Sequence, residues 1–329
     1  MLGVNMKNPI YILNEGVIFR KGNTIYYQNK DVKKALPING ISEIFCYSKT
    51  TIRSGAAYYL MQLGIPVHFF NKYGYYVGSL YPRDYLVAGK VVVLQAECYL
   101  NFNKRMEIAK EIVRGIKHNI LKTLNYYQRR GKEIATQDIE NTQIEPAKNI
   151  SELLSLEGKM WNLYYNSFNE ILKKFGFEKR TRRPPKDEIN ALISFGNSLL
   201  YSVCLTEIYN TYLNPSISFL HEPSERRYSL ALDISEIFKP LFVGRTIFNL
   251  INKRKIDESC FEKIQEGVFL NNKGKKIFLK EFDEKLKTSI KHPSLKRKVT
   301  YRRLIRLECY KLIKHILGDK KYVSFKLWW

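Results

Sequence analysis

Residues 75–127 read YYVGSLYPRDYLVAGKVVVLQAECYLNFNKRMEIAKEIVRGIKHNILKTLNYY, and the pattern changes partway through them. Before about residue 90 the chain is a series of short runs rich in Ile, Val, Tyr and Phe, broken by turn residues, which predicts strands. Beyond it, Leu94, Cys98, Met106, Ala109, Ile112, Val113, Ile116, Ile120, Leu121 and Leu124 recur at helical spacing, with Gly131 placed to stop the run. The expected architecture is α+β, with a β-rich domain over residues 1–90 and a larger α-helical domain over residues 91–329.

Working back toward the N-terminus, Tyr11–Leu13, Gly16–Arg20, Thr24–Gln28, Ile41–Tyr47, Pro66–Phe70 and Tyr75–Tyr81 read as strands, with Gly22-Asn23 as a hairpin turn. Ala56, Leu60 and Leu63 predict one short helix inside residues 51–63. Working forward, the polar residues 132–148 read as a loop and Ile150–Phe175 as helix. A basic loop follows, Glu178–Lys186, containing KRTRRPP; then a helix from Asp187 to Tyr212 ends at Asn214-Pro215. Ser216–Leu220 reads as a short β-like run leading to His221. Helix resumes from Ser229, a suitable N-cap.

The 329 residues are 45% apolar and 26% charged, the composition of a folded chain. Fifty-five Lys or Arg against 31 Asp or Glu leave a net charge of +24, which points to a polyanionic partner. The charge is uneven: residues 271–329 hold 18 Lys or Arg and 5 Asp or Glu. There, SLKRKVTYRRLIRLECYKLIKHIL has apolar spacing at Leu304, Leu307, Ile313 and Ile316, as expected of a packed helix with a basic outer face. No stretch approaches the run of about 20 apolar residues expected of a membrane span. Residues 1–20 carry charges and Pro9 rather than a signal core. The five scattered cysteines form no CxxC pair and read as buried thiols, so a cytoplasmic protein is expected.

Several chemistries lack their motif: there is no GxxxxGK, GxGxxG, HExxH or GxSxG. Attention falls on acids and a histidine among basic residues. Glu157 lies in the apolar helical stretch LLSLEGKMWNLYY, where a carboxylate is costly unless paired or bound to metal. His221 ends SISFLH. Asp233 and Glu236, at i and i+3 of the next helix, are like charges whose repulsion a divalent cation would reverse. Taken singly, each also suits an ordinary role: a helix-edge acid, a structural histidine, acids near a helix start. Two carboxylates and an imidazole suit Mg²⁺ or Mn²⁺, and with so basic a protein the natural substrate is a phosphodiester.

Four blocks carry a resemblance: SLEGKMWNLYY (155–165), RRPPKDEINALISFGNSLLY (182–201), FLHEPSERRYSLALDISEIFKP (219–240) and GDKKYVSFKLWW (318–329). With the N-terminal GIPVHFFNKYGYYVGSLYPRD (64–84), they resemble, over nearly the whole chain, the CRISPR-associated endonucleases of the adaptation module, the Cas-one family. The resemblance implies an N-terminal β-sandwich followed by an all-α catalytic domain. It implies metal-dependent DNA endonuclease and integrase activity, a homodimer formed largely through the β domain, and a small ferredoxin-like partner, the Cas-two protein. The family's metal ligands fall on Glu157, His221 and Glu236, and its supporting acid falls on Asp233. Lys239 stands where many members have Arg, which keeps the charge but loses a bidentate fork. Arg182 and Arg183 of the basic loop, and Arg226 and Arg227 beside His221, become DNA-contacting candidates. The expected activity is insertion of short DNA into a CRISPR array by attack of a 3′-hydroxyl on a phosphodiester. The alternative is a non-catalytic, basic DNA-binding scaffold dimer. RNA processing is a weaker third reading, with no RNP-type aromatic strand behind it.

Overall fold

The computed structural model describes residues 7–83, 86, 88–223 and 228–329. It divides into two compact units, residues 1–85 and 86–329.

The first unit is built from β1 (Asn8–Ile12), β2 (Gly16–Lys21), β3 (Thr24–Gln28), β4 (Lys33–Leu36), β5 (Ile41–Cys46), β6 (Thr50–Ile52), α1 (Ser54–Gln62), β7 (Val67–Phe70) and β8 (Tyr76–Leu80). They make two four-stranded sheets, in the orders β4-β3-β2-β6 and β1-β5-β7-β8. β2 and β3 pair antiparallel through Gly22, whose φ of +57° suits the predicted hairpin. Ile18, Ile25 and Leu36 from one sheet meet Ile12, Ile44 and Val67 from the other, with Ala56 and Leu60 of α1, in one core. A core shared by two sheets is the sandwich arrangement. The short edge strands β4 and β6 carry too little apolar alternation to be read from sequence.

The second unit holds α2 (Gly89–Leu100), α3 (Phe102–Gln128), α4 (Gln137–Glu140), α5 (Ile150–Asn166), α6 (Phe168–Ile171), α7 (Glu188–Tyr209), α8 (Ser229–Lys239), α9 (Arg245–Asn252), β9 (Phe261–Ile264), β10 (Gly267–Leu270), α10 (Asn272–Lys287), β11 (Ser289–Lys291), β12 (Lys298–Thr300) and α11 (Tyr301–Ile316). It is predominantly helical, with two small antiparallel ribbons, β9–β10 and β11–β12, that the helical pattern did not predict. The long helical stretch after residue 90 is two helices. Asn101 leaves the helix at ψ 109°, and its side chain accepts from the Lys104 N–H at 3.1 Å, capping α3.

α7 is the centre of this unit, buried along nearly all of its length from Ile189 to Ile208 and packed against α8 and α11. Its 22 residues are long and apolar enough for a membrane span by length and composition. Yet most of the helix is buried inside the fold, as in the core helix of a globular unit. α3 packs against both α5 and α8 and so sets them side by side. Buried Asn119 of α3 donates to the Ile237 carbonyl of α8 at 2.9 Å and accepts from the Leu327 N–H at 2.8 Å, fastening the C-terminal tail to the same helices. After α8 the helix widens for one turn, Pro240–Gly244, before continuing as α9. Pro240 has no N–H to offer the preceding turn, and a wider turn accommodates that loss. All five cysteines are buried and unpaired.

Candidate functional site

Glu157 sits midway along α5. Asn149 caps the helix by accepting from the Glu152 N–H at 2.9 Å, and Glu152 accepts in return from the Lys148 N–H at 2.7 Å. This start sets the helical phase that turns Leu153, Glu157, Met160, Trp161 and Tyr164 inward. Glu157 is 9% exposed, and its Oε1 accepts from Trp161 Nε1 at 2.7 Å, one turn on. Burial, and then the charge of Glu236, push the Glu157 carboxyl up to about 7, against the opposing pull of Lys239, His221 and the Trp161 hydrogen bond. Glu236 and His221 therefore act on Glu157 across the fold, although 79 and 64 residues separate them from it in sequence.

Glu236 lies on the buried face of α8, 5% exposed. Its Oε1 accepts from Lys239 Nζ, while its Oε2 is buried and meets no donor among the described residues. The Lys239 ammonium also stands 5.3 Å from the centre of the Trp161 ring. One cation thus lies between the acid of α8 and the indole of α5.

The run before His221 is not a strand. The backbone N–H groups of Phe219, Leu220 and His221 turn onto the Asp233 carboxylate at 2.7, 3.0 and 2.9 Å, instead of pairing with another strand. Arg105 Nε holds the Phe219 carbonyl at 2.9 Å. Buried Gln95 donates to the carbonyls of Asn214 and Ile217 and accepts from the Asn214 N–H. Ser229 is not the cap of α8; its hydroxyl donates to the Ser216 carbonyl at 2.9 Å and ties the same loop down.

Asp233 Oδ1 also accepts from His221 Nδ1 at 2.8 Å. A carboxylate accepts only, so Nδ1 carries a proton, and in the neutral ring Nε2 presents its lone pair. Burial disfavours the charged ring. The Asp233 hydrogen bond and the charges of Asp233, Glu236 and Glu157 outweigh that and raise the imidazole above its ordinary value. Asp233 is taken up by four donors, three backbone N–H groups and the His221 ring. The acids that act on one another are Glu157 and Glu236.

Among the described residues, no three His, Cys, Asp or Glu side chains are gathered closely enough to ligate one ion as they stand. The local partners give the physical reason: Trp161 holds Glu157, Lys239 holds Glu236 and Asp233 holds His221. The donor set nevertheless suits a hard divalent cation, and Glu236 Oε2 is a buried carboxylate oxygen with no hydrogen-bond donor among the described residues. Arg182 and Arg183 are exposed in the loop before α7, which Asp187 caps by accepting from the Asn190 N–H at 2.7 Å. Arg226 and Arg227 lie outside the described residues. Sequence reasoning treated Trp161 as a core residue only and missed Gln95 and Arg105. The Trp161 signal was its i+4 spacing from Glu157; the other two act over more than 110 residues of sequence and left no local mark.

The family model described as CRISPR associated protein Cas1 matches residues 10–284. CRISPR-associated protein Cas1 1 of Methanobrevibacter ruminantium is 48% identical over 98% of this chain and 99% of its own length. CRISPR-associated endonuclease Cas1 of Fusobacterium nucleatum is 45% identical over 99% of this chain and 98% of its own. The solved structure of a CAS1 protein from Thermotoga maritima superposes with a TM-score of 0.89 at 39% identity, covering 97% of this chain and all of that one.

Proposed function

The chain belongs to the Cas1 family, and on that footing we propose that it is a cytoplasmic, metal-dependent DNA endonuclease and integrase of CRISPR adaptation. The observation that carries this reading is the buried, unpartnered Oε2 of Glu236 in mutual repulsion with Glu157, beside a histidine whose Nε2 lone pair is set by Asp233. Glu157, Glu236 and His221 Nε2 would hold Mg²⁺ or Mn²⁺. When bound, such an ion polarises a phosphoryl oxygen and lowers the pKa of an attacking hydroxyl, a DNA 3′-hydroxyl for strand transfer or water for cleavage.

The chain's own groups have separate tasks. Asp233 fixes the His221 tautomer and ring orientation, the role of a carboxylate behind a ligating imidazole. Trp161 holds Glu157 in one rotamer by its indole N–H. Lys239, once released from Glu236, remains close enough to meet a phosphate oxygen as a point charge. The basic surface, with Arg182, Arg183, Arg226 and Arg227 as candidates, positions the DNA backbone. Homodimerisation through the β unit and assembly with a Cas2 protein belong to the same proposal; among the described residues β1, β8, β4 and β6 are the edge strands that could take part in such pairing.

The Lys239–Glu236 ion pair favours a second reading, in which the acids are neutralised internally and the protein is a DNA-binding scaffold. Strand transfer and cleavage of a labelled branched DNA, with and without Mn²⁺, separate the two. Metal-dependent products from the wild type, lost in Glu157→Ala while DNA affinity is kept, support the enzyme. Equal product from both proteins rejects it.

A further inference from the structure

A second set of charges lies away from the Glu157 carboxylate, where α3, α9 and α10 come together. Arg245 opens α9 half-buried; its Nε is buried and has no hydrogen-bond partner among the described residues. Its guanidinium carbon stands 5.7 Å from the centre of the Tyr126 ring, near the end of α3. Arg130 stacks on that same ring at 4.3 Å, and the ring itself is 41% exposed. Lys285, half-buried in the last turn of α10, is pushed down to about 8 by burial and by Arg245, Lys253 and Lys255, with Glu281 opposing.

Glu281 is the nearby carboxylate, and its oxygens are already engaged by Lys255 at 2.6 Å and by Asn249. Among the described residues no carboxylate pairs with Arg245, Lys285 or Lys253. Gathering like charges while withdrawing one from water is costly unless an anion restores the balance.

We propose that Arg245, Lys285 and Lys253, with the Tyr126 ring, form a binding site for one nucleotide of a DNA strand, its phosphate on the cations and its base on the ring. A guanidinium fork beside two ammonium groups matches phosphate oxygens. An exposed aromatic ring flanked by arginines is a stacking platform for a base, for which a simple carboxylate ligand would have no use. Position adds a purpose. Arg245 follows Glu236 by nine residues on a nearly continuous helix, roughly 13 Å along its axis. A strand held here lies within a few nucleotides of Glu157, His221 and Glu236. The choice of DNA rests on the function proposed above; the existence of a phosphate site does not.

Anisotropy of a fluorescein-labelled single-stranded oligonucleotide, titrated with the full chain at several salt concentrations, tests the site. The Arg245→Gln/Lys285→Gln double variant should bind about 10-fold more weakly, with a log K against log salt slope shallower by about 1.4. Tyr126→Ala should weaken binding about 10-fold with the slope unchanged, and Tyr126→Trp should restore it. Because Tyr126 is at the surface, its variants keep the test open should the double variant fail to fold by circular dichroism. Wild-type binding that survives these substitutions with the same slope overturns the site alone. Absence of any wild-type affinity for the oligonucleotide overturns the DNA reading as well. Inorganic pyrophosphate that displaces the oligonucleotide from wild type, while Tyr126→Ala leaves oligonucleotide affinity intact, would reassign the cations to a free polyphosphate and overturn the strand proposal.

Discussion

Glu157 and Glu236 show at the residue scale what the site costs the fold. A carboxylate 9% exposed beside a second acid is held in a state that burial and repulsion both oppose. Because the folded value is raised from 4.5 to about 7, the folded protein binds more protons than the unfolded chain between those values, so stability falls as pH rises through that window. Glu157→Gln keeps an acceptor for Trp161 and removes the charge. In metal-free protein it should be more stable than wild type by about 1 to 3 kcal/mol at pH 8, with the difference closing toward pH 4.5. Thermal melts across pH check this, and the same variant should lose metal-dependent cleavage. Asp233→Asn is expected to act in the opposite direction. An amide cannot accept from three backbone N–H groups and His221 Nδ1 as a carboxylate does, so stability should drop by about 2 to 4 kcal/mol and Mn²⁺ affinity, read by calorimetry, about 10- to 100-fold. Residue by residue, sequence shows an acid set into an apolar helical face at Glu157 and an acid pair at Asp233 and Glu236. The division of labour within that pair was hidden, because the donors to Asp233 come from a loop 12 to 14 residues upstream whose path depends on Gln95 and Arg105 of distant helices.

At the scale of elements, the close approach of the helix of Glu157 to the turn that follows the helix of Glu236 depends on one missing side chain. Gly244 closes the widened turn after α8, and Tyr164, two turns beyond Glu157 on α5, packs its hydroxyl where a Cβ on residue 244 would stand. Gly244→Ala must move α5 away from that turn or reorient a fully buried tyrosine. The expected cost is about 2 to 3 kcal/mol, seen as a lower melting temperature, with a loss of metal-dependent activity larger than the stability change explains. Restored activity on adding Tyr164→Phe, which removes the hydroxyl, would tie the effect to this contact. The long elements were legible: α3, α5, α7 and α8 follow from apolar spacing, and the Gly22 hairpin from its turn residues. The breaks were not. Asn101 interrupts an apolar period that runs on through it, and the ribbons β9–β10 and β11–β12 are too short to show an alternation. Ser216–Leu220 has strand-like composition, but its N–H groups find a carboxylate before they find a strand.

Across the whole molecule, a net charge of +24 is an argument about partners only so far as the charges face outward. The basic C-terminal helix α11 was expected to present its arginines to a polyanion. Two of them turn inward: Arg302 Nε and Arg306 Nε each hold a carboxylate oxygen of Glu207, 1% exposed on α7, at 2.6 Å. These are structural charges that join α11 to the central helix. The Arg302→Gln/Arg306→Gln variant should lose about 3 to 5 kcal/mol of stability, because it strands a buried carboxylate. Arg182 and Arg183 are exposed in their loop, so Arg182→Gln/Arg183→Gln should act on DNA affinity when compared at a temperature where the variant remains folded. Wild-type affinity for duplex DNA should fall steeply with salt, and each phosphate contact removed should flatten the log K against log salt slope by about 0.9. The loop variant should therefore flatten it by up to about 1.8, and the α11 variant, compared at a temperature where it remains folded, should leave it unchanged. A slope altered by the α11 pair and untouched by the loop pair would reverse this division between charges that hold the fold and charges that meet DNA.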